Sequence, residues 1–206
     1  MVNTIKTNEP LLVATHNLGK VKEFKKLFLP YKINIIFSGE LGIEEPEETG
    51  KTFKDNSIIK AKSGLNLGLN VLADDSGLCI KALNNDPGIY SARWAKKYGG
   101  WKSAMKKIYN KLIEKKCKDF SAKYHCCLSL AWKDGKINSY SGEVHGKISW
   151  PMRGKKGFGY DPIFIPNGHD ITFGEMNKKE KMLIDHRFKA FRKIIKNHIF
   201  DGTGQL

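Results

Sequence analysis

From Ala122 to Trp132 apolar side chains occupy every second position: Ala122, Tyr124, Cys126, Leu128, Leu130 and Trp132. Alternation sustained over this length specifies a β-strand, because an amphipathic helix would repeat its apolar positions every 3.6 residues. Asp134-Gly135 follows as a two-residue turn, and the chain returns through Ile137 to Trp150, so a long antiparallel hairpin is expected. Helical patterns surround it. The apolar run Leu11–Ala14 predicts a buried strand, and Val21, Phe24, Leu27 and Phe28 then recur at helical spacing up to a stop at Pro30. Ile33–Phe37 reads as a second strand, and Thr52 opens a helix to about Leu67. Val71–Ala73 reads as a short buried strand that ends in Asp74-Asp75-Ser76-Gly77, with extended structure resuming over Cys79–Leu83. A helix is expected near Lys102–Lys116, a glycine-rich loop over Gly154–Gly159, and one amphipathic C-terminal helix carrying Leu183, Ile184, Phe188, Phe191, Ile194 and Ile195. Strands mixed with helices around a long hairpin make the class α/β with a mixed sheet.

With 206 residues, 40% of them hydrophobic, the chain is long enough to bury a core unaided. Its 36 Lys and Arg against 21 Asp and Glu give a formal net charge of +15, which suggests a polyanionic partner or substrate. Only Arg93, Arg153, Arg187 and Arg192 are arginines, the side chain suited to bidentate phosphate and guanine contacts, and the lysines are dispersed rather than gathered in an arm. Cys79, Cys117, Cys126 and Cys127 form no CxxC pair and read as reduced thiols of a cytoplasmic protein. The N-terminal MVNTIKTNEP lacks an apolar signal core, and no uncharged apolar run approaches the roughly 18 residues of a membrane span.

Thr15-His16-Asn17-Leu18-Gly19-Lys20 sits where a strand feeds a helix, a place where free amides and the helix dipole attract phosphate. It is not a Walker loop, since Ala14 and Val21 stand where that pattern needs glycine and Ser or Thr. An Asn17 helix cap beside a solvated lysine is the alternative. Asp74 and Asp75 follow a buried strand, where open α/β sheets place ligands, and adjacent residues on extended chain face opposite ways, so one is expected to point into a cleft. Glu44-Glu45-Pro46-Glu47-Glu48 is either a solvated acidic loop or a second source of carboxylates for a hard cation such as Mg²⁺. Asn56 and Lys60, four residues apart, share a helix face. Phe158-Gly159-Tyr160-Asp161 joins aromatic planes to a carboxylate, ingredients for stacking a base and reading its edge, or a core plug beside a tight turn.

Six segments in order, ATHNLGK (14–20), EETGKTFKDNSIIKA (47–61), ADDSGL (73–78), PGIYSARW (87–94), GFGYDPIF (157–164) and EMNKKEKMLIDHR (175–187), resemble the inosine triphosphate pyrophosphatase, or Ham1-like, family over nearly the whole chain. The resemblance implies a single domain over 1–206, an elongated central mixed sheet with flanking helices, two lobes around an active cleft, a homodimer, and Mg²⁺-dependent hydrolysis of ITP, dITP and XTP to monophosphate and pyrophosphate. By the same resemblance, Thr15, His16, Asn17, Leu18, Gly19, Lys20 and Lys60 hold the triphosphate, and Asp75 is general base and metal ligand. Glu47 or Glu48 supplies the second metal carboxylate, and Ser76 contacts substrate. Phe158, Gly159, Tyr160 and Asp161 lie at the base, and Lys181, His186 and Arg187 complete purine recognition. Asp185 stands where the family commonly has Ser, adding charge beside the base pocket, and Trp94-Ala95-Lys96 replaces its usual Tyr-Ala-Gly.

Two other readings are a Maf-like nucleotide pyrophosphatase of different base preference and a basic nucleic-acid-binding protein. The second predicts affinity that falls steeply with salt and no pyrophosphate release. The acidic cluster and the shortage of arginine speak against it, so no stable nucleic acid partner is expected.

Overall fold

The computed structural model describes residues 3–199. A six-stranded sheet of order β2-β1-β3-β4-β5-β6 runs through the fold. Its strands are β1 Leu11–Ala14, β2 Ile35–Phe37, β3 Asn70–Ile80, β4 Ser121–Ala131, β5 Ile137–Ile148 and β6 Phe164–Pro166, with helices α1 Leu18–Phe28, α2 Phe53–Ser63, α3 Ser91–Lys97, α4 Trp101–Glu114, α5 Lys178–Ile184 and α6 His186–His198. β1 pairs in parallel with β2 and β3, whereas β6 is antiparallel to β5, so the sheet is mixed and the α/β class is as expected. The β4–β5 hairpin closes where Trp132 N donates to Lys136 O at 2.9 Å and Asp134 Oδ1 accepts from Lys136 N at 3.0 Å.

The chain folds into two compact units, each assembled from separated stretches. The first takes residues up to Asp75, Cys126–Gly142 and the chain from Arg187 on, and the second takes Ser76–His125 and Glu143–His186. In the first unit, Leu12, Ala14, Ala61, Val71, Ala73 and Ala131 form one apolar cluster. Phe28 of α1 meets Phe191 of α6 edge-on at 4.9 Å between ring centroids. In the second, Tyr124 packs edge-on against Phe164 at 4.9 Å, and Leu78, Ile108 and Phe173 are fully buried around them. Three cysteines are buried and the fourth half-buried, all reduced, and burial pushes the Cys79 thiol up to about 11.

Three expectations are corrected. The Asp74–Gly77 segment does not end a strand: β3 is continuous from Asn70 to Ile80. Gly77 is there for close approach instead of for a turn, because a Cβ on it would lie 2.2 Å from Gly88 O and 2.5 Å from Ser91 Oγ. Ser91 Oγ uses that closeness, accepting from Leu78 N at 3.0 Å and donating to Gly88 O at 2.7 Å. The C-terminal segment is two helices, not one. Asp185 caps α5 in extended conformation, with φ −72° and ψ 164°; Leu183 of α5 is 61% exposed and Ile184 packs against the second unit's core, so only Phe188, Phe191, Ile194 and Ile195 of the expected stripe lie on α6. Finally, α2 stops at Ser63, before the expected Leu67, and a short 3₁₀ turn over Leu65–Leu67 follows it.

A buried ion pair anchors the first unit. Asp74, from the middle of β3, accepts from Arg187 Nε at 2.5 Å, and Arg187, only 1% exposed, also pairs with Glu23 of α1. Burial opposes ionisation of Asp74, but Arg187 and Lys20 beside it overcome that and hold the carboxyl well below the usual range.

A carboxylate whose folded pKa is depressed stabilises the fold above its unfolded pKa and loses that contribution as pH falls through and below about 4. Urea unfolding in EDTA is expected to show wild-type stability dropping below that pH, with a flatter profile for Asp74→Asn. At pH 7 the variant should lose about 3–5 kcal/mol, because Arg187 keeps its charge but loses a buried partner. Gly77→Ala should lower stability by about 1–3 kcal/mol through overpacking; an unchanged melting temperature would show that the approach of Gly88 to β3 is not tight.

Candidate active site

The alternation of β3 sends its two aspartates to opposite faces. Asp74 goes to Arg187. Asp75 faces α2, which Thr52 starts with a capping box: Thr52 Oγ1 accepts from Asp55 N, and Asp55 Oδ2 accepts from Thr52 N, both at 3.1 Å. That start puts Asn56 and Lys60 on the buried face of α2, four residues apart as expected. Asn56 Nδ2 donates to Asp75 Oδ2 at 3.2 Å, and Lys60 Nζ donates to Asp75 Oδ1 at 3.3 Å.

Lys60 carries the acidic loop to the same place. Its Nζ also donates to Glu48 Oε1 at 2.5 Å, and Asn56 Oδ1 accepts from Gly50 N at 2.8 Å, fixing the end of that loop. Glu48 is half-buried whereas Glu47 is exposed, so of the two glutamates Glu48 is the one beside Asp75 and Lys60. Burial pushes Asp75 up, against the opposing pull of Lys60 and Lys20. Burial also disfavours the Lys60 cation, but Asp75 and Glu48 outweigh it and leave its pKa raised, so Lys60 stays charged.

The 15–20 segment is built as the Asn cap. Asn17 Oδ1 accepts from Gly19 N at 2.9 Å and Lys20 N at 3.2 Å, while Thr15 Oγ1 accepts from Asn17 N at 3.2 Å. Leu18 stands 73% exposed at the helix start. Lys20 is not a solvated lysine: its Nζ reaches the Asp74 carbonyl oxygen at 3.2 Å and Oδ1 at 3.3 Å. His16 Nε2 lies 2.7 Å from Ile43 O, tying this segment to the start of the acidic loop.

The second unit gathers the aromatic set. Asp161 Oδ2 accepts from Phe158 N at 2.9 Å and from Lys181 Nζ at 2.7 Å, with Lys181 lying 5.2 Å from the Phe158 ring centroid. Gly157, at φ +74°, permits this turn, since a Cβ there would sit 2.0 Å from Asp161 Oδ2. His186 stacks on Tyr124 at 4.7 Å and 11°, and the Tyr124 hydroxyl donates to Asp161 Oδ1 at 3.4 Å. Tyr160 next to Gly159 turns inward, buried, donating to Ser91 O at 3.0 Å and meeting Trp101 edge-on. Ser76 is half-buried on β3.

Phe158, Asp161, Lys181 and His186 are thus linked within the second unit, and the Arg187 guanidinium pairs with Asp74 and Glu23 in the first. Neither Tyr124 nor Glu23 is legible in the sequence as a partner of these residues. Tyr124 carries only the strand alternation of a core residue, and nothing in the sequence connects Glu23 with Arg187.

Among the described residues, no group of three or more His, Cys, Asp or Glu side chains is arranged to hold a metal ion. The pair Asp75 and Glu48 nevertheless suits a hard cation of the Mg²⁺ type, which takes one or two protein carboxylates and completes its shell with phosphate oxygens and water. One cation, the Lys60 ammonium, already lies between these carboxylates.

The Ham1 family model matches residues 11–197. A dITP/XTP pyrophosphatase of Caulobacter vibrioides is 45% identical, covering 93% of this chain and 98% of that protein; one of Gluconobacter oxydans is 41% identical, covering 98% and 97%. The structure of a HAM1 protein from Coxiella burnetii superposes with a TM-score of 0.84 at 36% identity, covering 91% of this chain and 97% of that one. The Staphylococcus aureus Ham1 protein gives 0.79, also at 36% identity, covering 90% and 96%. Residues 11–197 span both carboxylate segments and the aromatic set alike, and the chain belongs to the Ham1 family.

Proposed function

We propose that the protein hydrolyses deaminated purine nucleoside triphosphates, ITP, dITP and XTP, to the monophosphate and pyrophosphate, clearing them from the cytoplasmic nucleotide pool. The observation that carries the reading is Asp75, buried in the middle of a strand and held by Asn56 on one oxygen and Lys60 on the other, in a chain whose full-length relatives are dITP/XTP pyrophosphatases. A homodimer and Mg²⁺ as cofactor belong to the same proposal.

In the reaction a water oxygen bonds to the α-phosphorus, the bond from that phosphorus to the α–β bridging oxygen breaks, and pyrophosphate leaves. Asp75 orients the water and takes its proton; a carboxylate whose pKa burial has raised is a better base than one in bulk water. Lys20 and Lys60 neutralise charge building on the leaving pyrophosphate. Mg²⁺, held by Asp75 and Glu48, would supply Lewis-acid polarisation of the phosphoryl oxygens. Because Asn17 already occupies the Gly19 and Lys20 amides, the phosphate grip in this part of the site falls to lysine side chains and any amide that segment leaves open.

For the base, the Phe158 ring offers a stacking plane, and Lys181 and His186 offer donors to the purine O6. Donors that the wrong base leaves unpaired disfavour it strongly, because an exocyclic amino group at C6 cannot accept from them. Arg187 contributes through Asp74: reaching a base would mean leaving that buried carboxylate and the half-buried Glu23. A nucleic-acid-binding role is not favoured.

Assay of pyrophosphate release from a panel of NTPs and dNTPs with Mg²⁺ or EDTA should show turnover of dITP, ITP and XTP well above ATP and GTP, and none in EDTA; equal use of the ordinary nucleotides would reject the reading. Asp75→Asn should lower kcat for dITP by about 10²- to 10⁴-fold with the circular dichroism spectrum unchanged. His186→Ala should narrow the ratio of kcat/KM for ITP over ATP, and an unmoved ratio would remove His186 from the base site.

A further inference from the structure

Lys60 is placed unusually for a residue whose task is to hold phosphate. Its side chain is only 4% exposed, and its ammonium lies 2.5 Å from Glu48 Oε1 and 3.3 Å from Asp75 Oδ1, the two carboxylates that suit a divalent ion. A buried charge needs a partner, and here two buried or half-buried anions share one cation. The same arrangement holds the acidic loop against β3, since Gly50 N and Asp75 Oδ2 are bridged by Asn56 one helical turn away. An ammonium and a metal ion cannot both occupy the space between these oxygens. They also repel each other strongly at such separations when screening by water is weak.

We propose that Lys60 is an internal counter-ion that stands in for the metal in the nucleotide-free protein and keeps free divalent cations out of the Glu48–Asp75 pair. The triphosphate tail draws the ammonium away, so metal and nucleotide enter as a coupled pair and each strengthens binding of the other. This rests on the reading of Glu48 and Asp75 as the metal carboxylates. It gives Lys60 a positioning role before substrate arrives, distinct from any contact it makes with phosphate. It also means that a site built for a metal remains closed and charge-paired at rest.

Binding of Mn²⁺ to the nucleotide-free protein, followed by electron paramagnetic resonance, tests this without turnover. Wild type should bind weakly. Lys60→Met should bind at least about tenfold more tightly, because the competing charge is gone from beside both carboxylates. Lys60→Arg, which restores the cation, should return binding to the wild-type level, and Lys60→Met combined with Glu48→Gln should lose the gained site. Lys60→Gln serves in place of the methionine variant if circular dichroism shows that the latter does not fold. Equal affinity of wild type and the uncharged variants, or tight binding by Lys60→Arg, would overturn the inference while leaving the proposed reaction intact. If none of the variants binds Mn²⁺ and wild type still hydrolyses dITP only with Mg²⁺, both the inference and the assignment of Glu48 and Asp75 fall. If wild type hydrolyses no dITP under any condition, the reading of the reaction itself falls.

Discussion

Two adjacent carboxylates in the middle of one buried strand are the constraint around which the first unit is organised. Asp74 and Asp75 are 1% and 4% exposed, and an ionised carboxylate at that depth is costly without a cation against it. Because neighbouring residues on β3 face opposite ways, the chain supplies cations on two sides. Arg187 and Lys20 serve Asp74, and Lys60 serves Asp75. These cations come from the starts of α1 and α6 and from the buried face of α2, so satisfying two side chains ties three helices to one strand.

The faces differ in what they leave available. Around Asp74 the pairing is closed: the guanidinium is buried, a second carboxylate from α1 completes it, and the acid is held ionised far below its usual range. Around Asp75 the balance is unsettled. Burial raises its pKa despite Lys60 and Lys20, and Glu48 adds another negative charge from a loop. A closed pair serves stability, whereas an anion that shares its nearest cation with a second carboxylate can accept a further cation or a proton. The closed and the open pairing thereby stand on opposite faces of one strand, a single peptide unit apart.

Much of this was legible in the sequence, and the reasons for what was not are physical. The Ala122–Trp132 alternation, the Asp134-Gly135 turn and the Thr52 cap are local signals, and each element stands where they put it. Asn56 and Lys60 followed from helical spacing, and the opposite orientation of Asp74 and Asp75 from strand geometry. Gly77 misled because a glycine after two aspartates is the composition of a turn, while its purpose is a contact with Gly88 that no local rule contains. The Arg187–Asp74 pair was illegible for a different reason: its members lie 113 positions apart in the chain, and no local pattern joins them. That Glu48 sits beside Lys60 depends on the course of a loop held by Lys60 and Asn56, which periodicity cannot supply.

The division of labour on β3 is tested most directly by a crystal structure of the protein with Mg²⁺ and a dITP analogue carrying an imido bridge between the α and β phosphorus atoms. One metal ion should touch both Asp75 and Glu48 and the α-phosphate oxygens, with Asp74 still paired to Arg187. A metal bound at Asp74, or an Asp75 carboxylate turned away from the nucleotide's phosphates, would contradict that division.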